Sequence, residues 1–433
     1  MRLTVIGTGY LGAVHAACMA EIGHEVLGVD VDEAKIAALA EGQAPFYEPG
    51  FPEVLTRNLE NGRLRFSTSL ADAAAFGDVH FICVGTPQLP GSDAADLRHV
   101  DAVVEGLGPH LRAGALVVGK STVPVGTASR LAARLREFGD VQLAWNPEFL
   151  REGFAVEDTL RPDRLVVGST DPRSEQTLRH VYATMLNDLT PWVGTDLATA
   201  ELVKVAANSF LATKISFINA MAEICEATGG DVTTLARAIG YDTRIGERFL
   251  RAGVGFGGGC LPKDIRAFRA RAAELGCDES VRFLADVDAI NLRRRVKVVQ
   301  LVREAVGGSL ADRSVAVLGA TFKPDSDDVR DSPALAVAAA LHGEGARVTV
   351  HDPRGLDNAR AARPELDYSP GAEKACEGAD VVVHLTEWPE YLELDPAELA
   401  DVVAAPVLVE GRHTIDLAAW RSAGWEVHAL GRP

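Results

Sequence analysis

One thiol closes a glycine cluster in the run Gly255-Phe256-Gly257-Gly258-Gly259-Cys260-Leu261-Pro262-Lys263-Asp264. Glycines let a ligand approach the backbone, Pro262 suits the first turn of a helix, and the free N–H groups of that turn favour a charged sulfur. Such a thiolate can attack an electrophilic carbon and hold it as a covalent adduct. Read purely as structure, the run is a tight turn around an inert cysteine packed as a small hydrophobe.

Other residues carry chemistry at spacings that matter. Lys204 and Asn208 stand four apart in a helical stretch, so an ammonium and an amide project from one face and can steady an oxyanion. The plainer reading is a solvated lysine beside an exposed amide, and the Ala-rich apolar flanks argue against it. Glu148 and Glu152, also four apart, follow Asn146-Pro147, where a turn or helix should begin. Carboxylates there can activate water or take a hydroxyl proton, or they can merely complement a helix dipole, and both readings stand. Asp264, four past Cys260, can orient water or pair with a cation. Arg244, Lys323 and Arg330 lie in loops among Gly, Pro and acids, where they can bind a diphosphate or form surface ion pairs.

The elements that position these groups follow an α/β rhythm. Leu3 to Ile6 reads as a strand, Gly7-Thr8-Gly9-Tyr10-Leu11-Gly12 follows at once, a helix runs from Ala13 to about Ile22, and Glu25 to Val29 is a second strand. In that context the three glycines permit a tight turn and bring backbone N–H groups against a pyrophosphate. Asp30, ending the second strand, suits ribose hydroxyls and repels a 2′-phosphate, so NAD is expected rather than NADP. Strands at Val79 to Val84, Leu116 to Lys120, Gln142 to Trp145 and Arg164 to Gly168 are expected to complete the first sheet. The first three run into the loops Gly85-Thr86-Pro87, Ser121 to Gly126 and Asn146-Pro147-Glu148. Helical spacing without internal Gly or Pro extends from about Thr195 to Gly229. Ser314 to Leu318, Arg347 to Val350 and Asp380 to Leu385 then restart the α/β pattern, with Leu318-Gly319-Ala320-Thr321-Phe322-Lys323 in place of the glycine triplet, as if for a nucleotide of another kind.

The chain has 433 residues, enough for two or three domains. Boundaries are expected at 1–194 for an NAD-binding Rossmann-type domain, 195–305 for a helical middle carrying the thiol, and 306–433 for a second Rossmann-like domain that holds a nucleotide of another kind. The fold class is therefore α/β, with two doubly wound domains joined by a long central helix. A net charge of −18 argues against nucleic acid and anionic membranes as partners. Six cysteines without CxxC spacing indicate neither a metal site nor a disulfide framework, which fits a reducing cytoplasm. The apolar stretch from Leu3 to Ala20 could pass for a signal peptide, but its glycine spacing is better explained by the dinucleotide loop.

Taken together the motifs resemble the UDP-glucose/GDP-mannose dehydrogenase family along nearly the whole chain. The carriers are Gly7-x-Gly9-x-x-Gly12, Val84-Gly85-Thr86-Pro87, Ser121-Thr122-Val123-Pro124-Val125-Gly126, Asn146 through Gly153, Lys204-x-x-x-Asn208, the cysteine run, and Phe322-Lys323-Pro324 through Arg330. Within the family Phe46-Tyr47-Glu48-Pro49-Gly50 looks like the UDP-glucose branch, with GDP-mannose or another nucleotide sugar as the alternative.

The resemblance implies a four-electron oxidation of UDP-glucose to UDP-glucuronate at the sugar C6, with two NAD consumed. Cys260 would form a thiohemiacetal and then a thioester. Lys204 and Asn208 would steady oxyanions, and Thr122, Glu148, Glu152 and Asp264 would place water and move protons. NAD would contact Gly7, Gly9, Tyr10, Leu11, Gly12, Asp30, Lys35, Gly85, Thr86, Thr122, Glu152, Lys263 and Arg330. Substrate would contact Glu148, Phe149, Leu150, Arg151, Glu152, Lys204, Asn208, Arg244, Phe249, Leu250, Arg251, Ala252, Gly253, Gly257 and Lys323. The resemblance also implies a homodimer through the central helix, with Arg244 reaching across it. Gly259 departs from the family, where many members have Ser. Two other readings compete: a two-electron β-hydroxyacid-type dehydrogenase, which has no use for Cys260, and a non-catalytic NAD-binding sensor or scaffold.

Overall fold

Runs such as Val79–Ile82, Leu116–Gly119 and Val381–His384 are buried along their whole length, the signature of parallel strands covered on both faces. Fourteen strands form among the described residues, 1–432 of this computed structural model: β1 Arg2–Ile6, β2 Glu25–Val29, β3 Leu64–Ser67, β4 Val79–Ile82, β5 Leu116–Gly119, β6 Gln142–Trp145, β7 Leu165–Ser169, β8 Trp192–Thr195, β9 Ser314–Leu318, β10 Arg347–His351, β11 Asp367–Tyr368, β12 Val381–His384, β13 Val407–Glu410 and β14 Glu426–Ala429.

The chain divides into two compact units. The first, Met1–Ala207 with Arg266–Gly276, holds an eight-stranded sheet in the order β3-β2-β1-β4-β5-β6-β7-β8. Every neighbour pair is parallel except β6 with β7, so β7, expected as one more strand of a parallel sheet, runs against it. β7 is not the last strand of this sheet either: β8 follows and pairs parallel to it. Winding reverses between β1 and β4, and an open α/β sheet offers its ligand crevice at the carboxyl ends of such a reversal.

The second unit, Asn208–Ile265 with the chain from Cys277 onward, holds a six-stranded all-parallel sheet in the order β11-β10-β9-β12-β13-β14, reversing between β9 and β12. Its apolar core runs from Val315 and Val317 on β9 through Val381 and Val383 on β12 to Val298 and Val302 on the Phe283–Ala305 helix. The 32-residue helix Leu197–Thr228 starts in the first unit and ends in the second.

Candidate active site

In the first unit the glycine loop divides its labour. Gly7 has φ +92°, and a Cβ there would sit 2.8 Å from Val84; one on Gly12 would sit 1.7 Å from the Gly7 carbonyl oxygen. Both therefore serve the packing of the Tyr10–Glu21 helix on its strands. At Gly9 a Cβ would meet nothing, and the helix it opens has neither a side-chain cap nor an acid in its first turn. That leaves uncapped N–H groups facing open space, a cradle that fits the pyrophosphate of NAD. Asp30 accepts from Thr8 N at 2.8 Å and Lys35 Nζ at 3.0 Å. Burial alone would raise the Asp30 pKa, but the Asp32 N–H, the Lys35 ammonium and the Thr8 N–H outweigh it and hold the carboxyl below its ordinary value.

Two further loops end beside this cradle's strands. The Thr86 hydroxyl donates to the Thr122 carbonyl at 2.7 Å, and Ser121 Oγ donates to Val84 O at 2.7 Å, so Gly85-Thr86 and Thr122 are tied together. Gly126 N and Ala128 N donate to the buried Glu201 carboxylate at 2.7 and 2.6 Å, which fastens the Ser121–Gly126 loop to the long helix one turn before Lys204. Glu48 of the Phe46–Gly50 motif is also buried; it accepts from Gly153 N at 2.6 Å, from Ala155 N at 2.7 Å and from the Tyr10 hydroxyl. Tyr10 of the glycine loop and the Asn146–Gly153 segment are thus held by one carboxylate.

Glu148 and Glu152 do not share a helical turn. The segment after Asn146-Pro147 stays irregular and helix begins only at Ala155–Leu160, because Glu148 turns back to accept from Phe149 N at 2.7 Å and Leu150 N at 3.0 Å. Its other oxygen lies 3.0 Å from Lys120 Nζ, a lysine buried at the end of β5. Phe149 lies under both Lys204, 5.6 Å from its centroid, and Arg164, at 4.1 Å. Lys204 is buried, so it is not the solvated lysine of the plainer reading. Leu150 and Glu152 are half-buried; Arg151 is exposed and paired with Asp158 at 2.6 Å.

In the second unit Cys260 is exposed and immediately precedes the Leu261–Glu274 helix, so Pro262 occupies the first turn. Its loop is cast against neighbours on every side. Phe256 N donates to Asn291 Oδ1 at 2.7 Å while Asn291 Nδ2 donates to Phe256 O at 2.9 Å, and Gly258 N donates to Arg330 O at 3.0 Å. A Cβ on Gly257 would come within 2.3 Å of Asp331 O, and one on Gly259 within 2.5 Å of the Arg330 guanidinium. The absence of a serine side chain at 259 is therefore matched by an arginine that fills the space. Asp264 accepts from Asn208 Nδ2 at 2.7 Å and from Lys263 Nζ at 2.5 Å, which orients the amide on the long helix.

The remaining expected substrate residues divide. Phe249 has φ +63° and is exposed, Leu250 and Ala252 are buried in an apolar cluster with Ile218 and Val232, and Gly253 N donates to Asn219 Oδ1 at 2.9 Å. Side-chain contact with a ligand is thereby closed to Leu250 and Ala252. Arg251 is exposed and lies 3.9 Å from Glu387. Arg244, with 88% of its side chain exposed, is paired with Asp242 at 2.6 Å, and Lys323 Nζ lies 5.8 Å from the Phe322 centroid. Sequence reasoning missed Arg412, whose guanidinium donates to Leu385 O at 2.6 Å and to Gly255 O and Phe322 O at 3.2 Å, joining the cysteine loop to the Phe322-Lys323 loop. No local signal marks it, because its acceptors lie in segments far along the chain.

A Rossmann-type sheet with an open glycine cradle, a second parallel sheet and an exposed thiol at a helix start define a dinucleotide-dependent dehydrogenase. Comparison with known proteins narrows this. Residues 1–186 match the NAD binding domain, 198–293 the central domain and 316–417 the UDP binding domain of the UDP-glucose/GDP-mannose dehydrogenase family. The chain is 43% identical to the UDP-glucose 6-dehydrogenase of Rhizobium meliloti with all of both chains covered, and 43% identical to that of Pseudomonas aeruginosa, covering 100% of this chain and 98% of the relative. The solved UDP-glucose dehydrogenase of Pyrobaculum islandicum superposes with a TM-score of 0.92 at 39% identity, covering 100% of this chain and 98% of that one. The chain belongs to the UDP-glucose/GDP-mannose dehydrogenase family.

Proposed function

We propose that the chain oxidises the C6 alcohol of UDP-glucose to the carboxylate of UDP-glucuronate through a covalent adduct on Cys260. NAD, when bound, supplies the acceptor for the two hydrides that leave C6 in succession, two equivalents for each sugar. Gly9 and the N–H groups after it, with Tyr10, Leu11, Asp30, Lys35 and Thr86, would hold it, and the family resemblance adds Lys263 and Arg330. Once C6 is an aldehyde, the Cys260 thiolate adds to it, forming the C–S bond and leaving an alkoxide that the Lys204 ammonium and the Asn208 amide steady. Loss of hydride from that adduct leaves a thioester. Water then adds, the C–S bond breaks, sulfur leaves as thiolate and the carboxylate is released.

The observation that most supports this reading is Cys260 itself: an exposed thiol at the start of a helix, on a loop whose Gly257, Gly258 and Gly259 pack closely against Asp331, Phe322 and Arg330. A two-electron enzyme or a binding sensor has no need of it. Lys323 and the Phe322 loop are proposed to take the UDP. The proposed domain division is 1–194, 195–305 and 306–433, with the UDP sugar in the last. The proposed assembly is a homodimer, because Phe210, Phe217 and Ile224, spaced by sevens on the long helix, are exposed at 67%, 48% and 58%. Arg244, exposed and paired with Asp242, is proposed to act across such an interface.

The test is stoichiometry. Purified protein should release two NADH per UDP-glucose and yield the acid, while Cys260→Ser should lose at least about a thousandfold in turnover. One NADH with an aldehyde product, or an undiminished Cys260→Ser, overturns the proposal. GDP-mannose and UDP-N-acetyl sugars run in parallel decide the nucleotide sugar.

A further inference from the structure

Beneath the candidate site lies a charged group that the oxidation chemistry does not use. Lys120 follows β5, in the run Leu116-Val117-Val118-Gly119-Lys120, and only 5% of its side chain is exposed. Its ammonium reaches Glu148 Oε2 at 3.0 Å and donates to Asn146 Oδ1 at 3.2 Å. Asn146 is itself held by the Tyr182 hydroxyl, 2.6 Å from the same Oδ1, and by its own donation to Val166 O at 2.8 Å. The Glu148 side chain is 17% exposed, so the pair is buried on the lysine side and open on the carboxylate side. A buried ion pair of this kind is weak evidence for stability, since desolvating both charges offsets most of their attraction. Its geometry suggests a different use: one oxygen of Glu148 is committed to Lys120, and the other accepts from two backbone N–H groups.

We propose that Lys120 is a positioning residue for hydrolysis of the acyl-enzyme, locking the Glu148 carboxylate in the orientation and charge state that accept a proton from the attacking water. The proposal rests on the thioester reading above, with Glu148 as the proton acceptor, and deepens it by naming the residue that holds that carboxylate. In this step a water O–H bond breaks, its proton passes to Glu148, its oxygen bonds to the acyl carbon, and the C–S bond breaks to give back the Cys260 thiolate. The product acid then loses its proton to solvent, as does Glu148.

The surrounding charges fit. Burial would raise the Glu148 pKa, but the Lys120 charge and hydrogen bond, the Phe149 N–H and the Lys204 charge outweigh it and keep the group below its ordinary value. On Lys120, burial pulls the other way and is outweighed by Glu148. Of the other titratable neighbours, Cys83 at the end of β4 and Tyr182 are pushed up to about 12 by burial, Cys18 is raised by burial, and His15 is lowered by burial. All four are therefore neutral near pH 7. Lys120 and Lys204 are the cations that hold the carboxylate in its charged state.

The test compares the parent enzyme with Lys120→Met, Glu148→Gln and the double variant in single turnovers with UDP-glucose and NAD, quenched and weighed for the adduct on Cys260. With its ammonium partner gone, Glu148 should protonate near neutrality. In Lys120→Met the acyl adduct should therefore accumulate, its hydrolysis slowed about a hundredfold at pH 7 and recovering towards pH 9, while the first NADH appears within about threefold of the parent rate. The double variant should hydrolyse no more slowly than Glu148→Gln and show no recovery with pH, and it should melt higher than Lys120→Met because no unpaired charge is left buried. Hydrolysis in Lys120→Met with the parent's pH profile, or a double variant that loses the product of the two single effects, overturns the proposal. If Lys120→Met does not fold and the double variant does, the charge pairing is upheld; if neither folds, Lys120 is a strut and the proposal falls. Failure of the parent to form any adduct would instead reject the thioester reading, while the order of melting temperatures still judges the pair.

Discussion

The turn after the first strand is built on the same plan in both sheets of this chain and parts ways at one residue. In each, a glycine of positive φ follows the first strand, Gly7 after β1 and Gly319 after β9, and its N–H bonds back to the second strand, to Val29 O at 2.7 Å and to His351 O at 2.8 Å. Each second strand is followed by an aspartate that accepts from the turn: Asp30 from Thr8 N, Asp352 from Ala320 N at 2.7 Å. Two residues beyond the shared glycine the resemblance stops. Gly9 faces open space, whereas Thr321 is fully buried, its hydroxyl donating to Asp352 at 3.0 Å and its carbonyl accepting from Thr386 Oγ1 at 2.6 Å. The same winding thus yields a cradle in one unit and a sealed corner in the other, and ligand chemistry follows the loop rather than the fold.

The largest expected effect comes from exchanging that residue. Gly9→Thr should weaken NAD binding by about a hundredfold, roughly 2.7 kcal/mol, while changing the melting temperature little, since no packed neighbour is met. Thr321→Gly should do the reverse, costing about 1–2 kcal/mol of stability through lost hydrogen bonds and a looser chain and leaving NAD affinity alone. Calorimetric titration with NAD beside thermal unfolding separates them. Two variants that fail in the same way would dissolve the contrast.

The acids extend it. Asp352 accepts from the Ala320, Thr321, Arg354 and Gly355 N–H groups and from Trp388 Nε1 and is 1% exposed, so Asp352→Asn should cost about 2–3 kcal/mol at neutral pH. Urea unfolding would measure it, and a loss below about 1 kcal/mol would mean that the corner tolerates a neutral group.

Each unit also sets a carboxylate beside a nitrogen-bearing side chain at the middle of its sheet, and here too the roles differ. Lys120 and Glu148 leave one carboxylate partly exposed, whereas His384 of β12 and Glu410 of β13, 3.0 Å apart, are both fully buried. Glu410 also accepts from Arg412 N, His413 N and Ile415 N, which folds the loop carrying Arg412. Burial would raise its pKa, but His384 and those N–H groups carry it down to about 2. A carboxyl depressed below its unfolded value of about 4.3 stabilises the fold above that pH and ceases to do so as pH falls through 2. Stability should therefore drop by about 2 kcal/mol between pH 5 and pH 2 from this group, and Glu410→Gln should lack that component in urea unfolding series across the same range.

How much of this was legible in the sequence depends on how local the cause was. Glu25–Val29 and Ser314–Leu318 stand where apolar runs and turn residues put them. Leu64–Ser67 and Trp192–Thr195 escaped notice because edge strands are half-covered and carry no continuous apolar run. The reversal of β7 was equally unreadable, since strand direction is fixed by how the Asn146–Arg164 connection packs and not by the strand's own residues. Cys260, the glycine loop and the Lys204-x-x-x-Asn208 pair could be read because one element carries each of them. Lys120 and Arg412 could not, since their partners Glu148, Gly255 and Phe322 come from distant segments. Of the turn or helix expected after Asn146-Pro147, the structure has a turn at Glu152-Gly153 and helix only from Ala155, and the buried ammonium that holds Glu148 is what sequence could not show.

The smallest effect bears on what the first unit's acid is for. Asp352 is consumed by its own turn, while Asp30 makes fewer bonds and is paired at 3.0 Å with Lys35, a residue whose side chain is 27% exposed. An acid so placed can accept from ribose hydroxyls, and its charge opposes a 2′-phosphate, leaving Lys35 to favour one once the acid is removed. Asp30→Ala should shift the ratio of NADP to NAD affinities by about tenfold towards NADP, roughly 1.4 kcal/mol, and Asp30→Ala/Lys35→Ala should give back part of that gain. Direct binding measurements with both dinucleotides decide it. An unchanged ratio would make Asp30 a turn-former like Asp352, and the contrast between the two first turns would then rest on Gly9 alone.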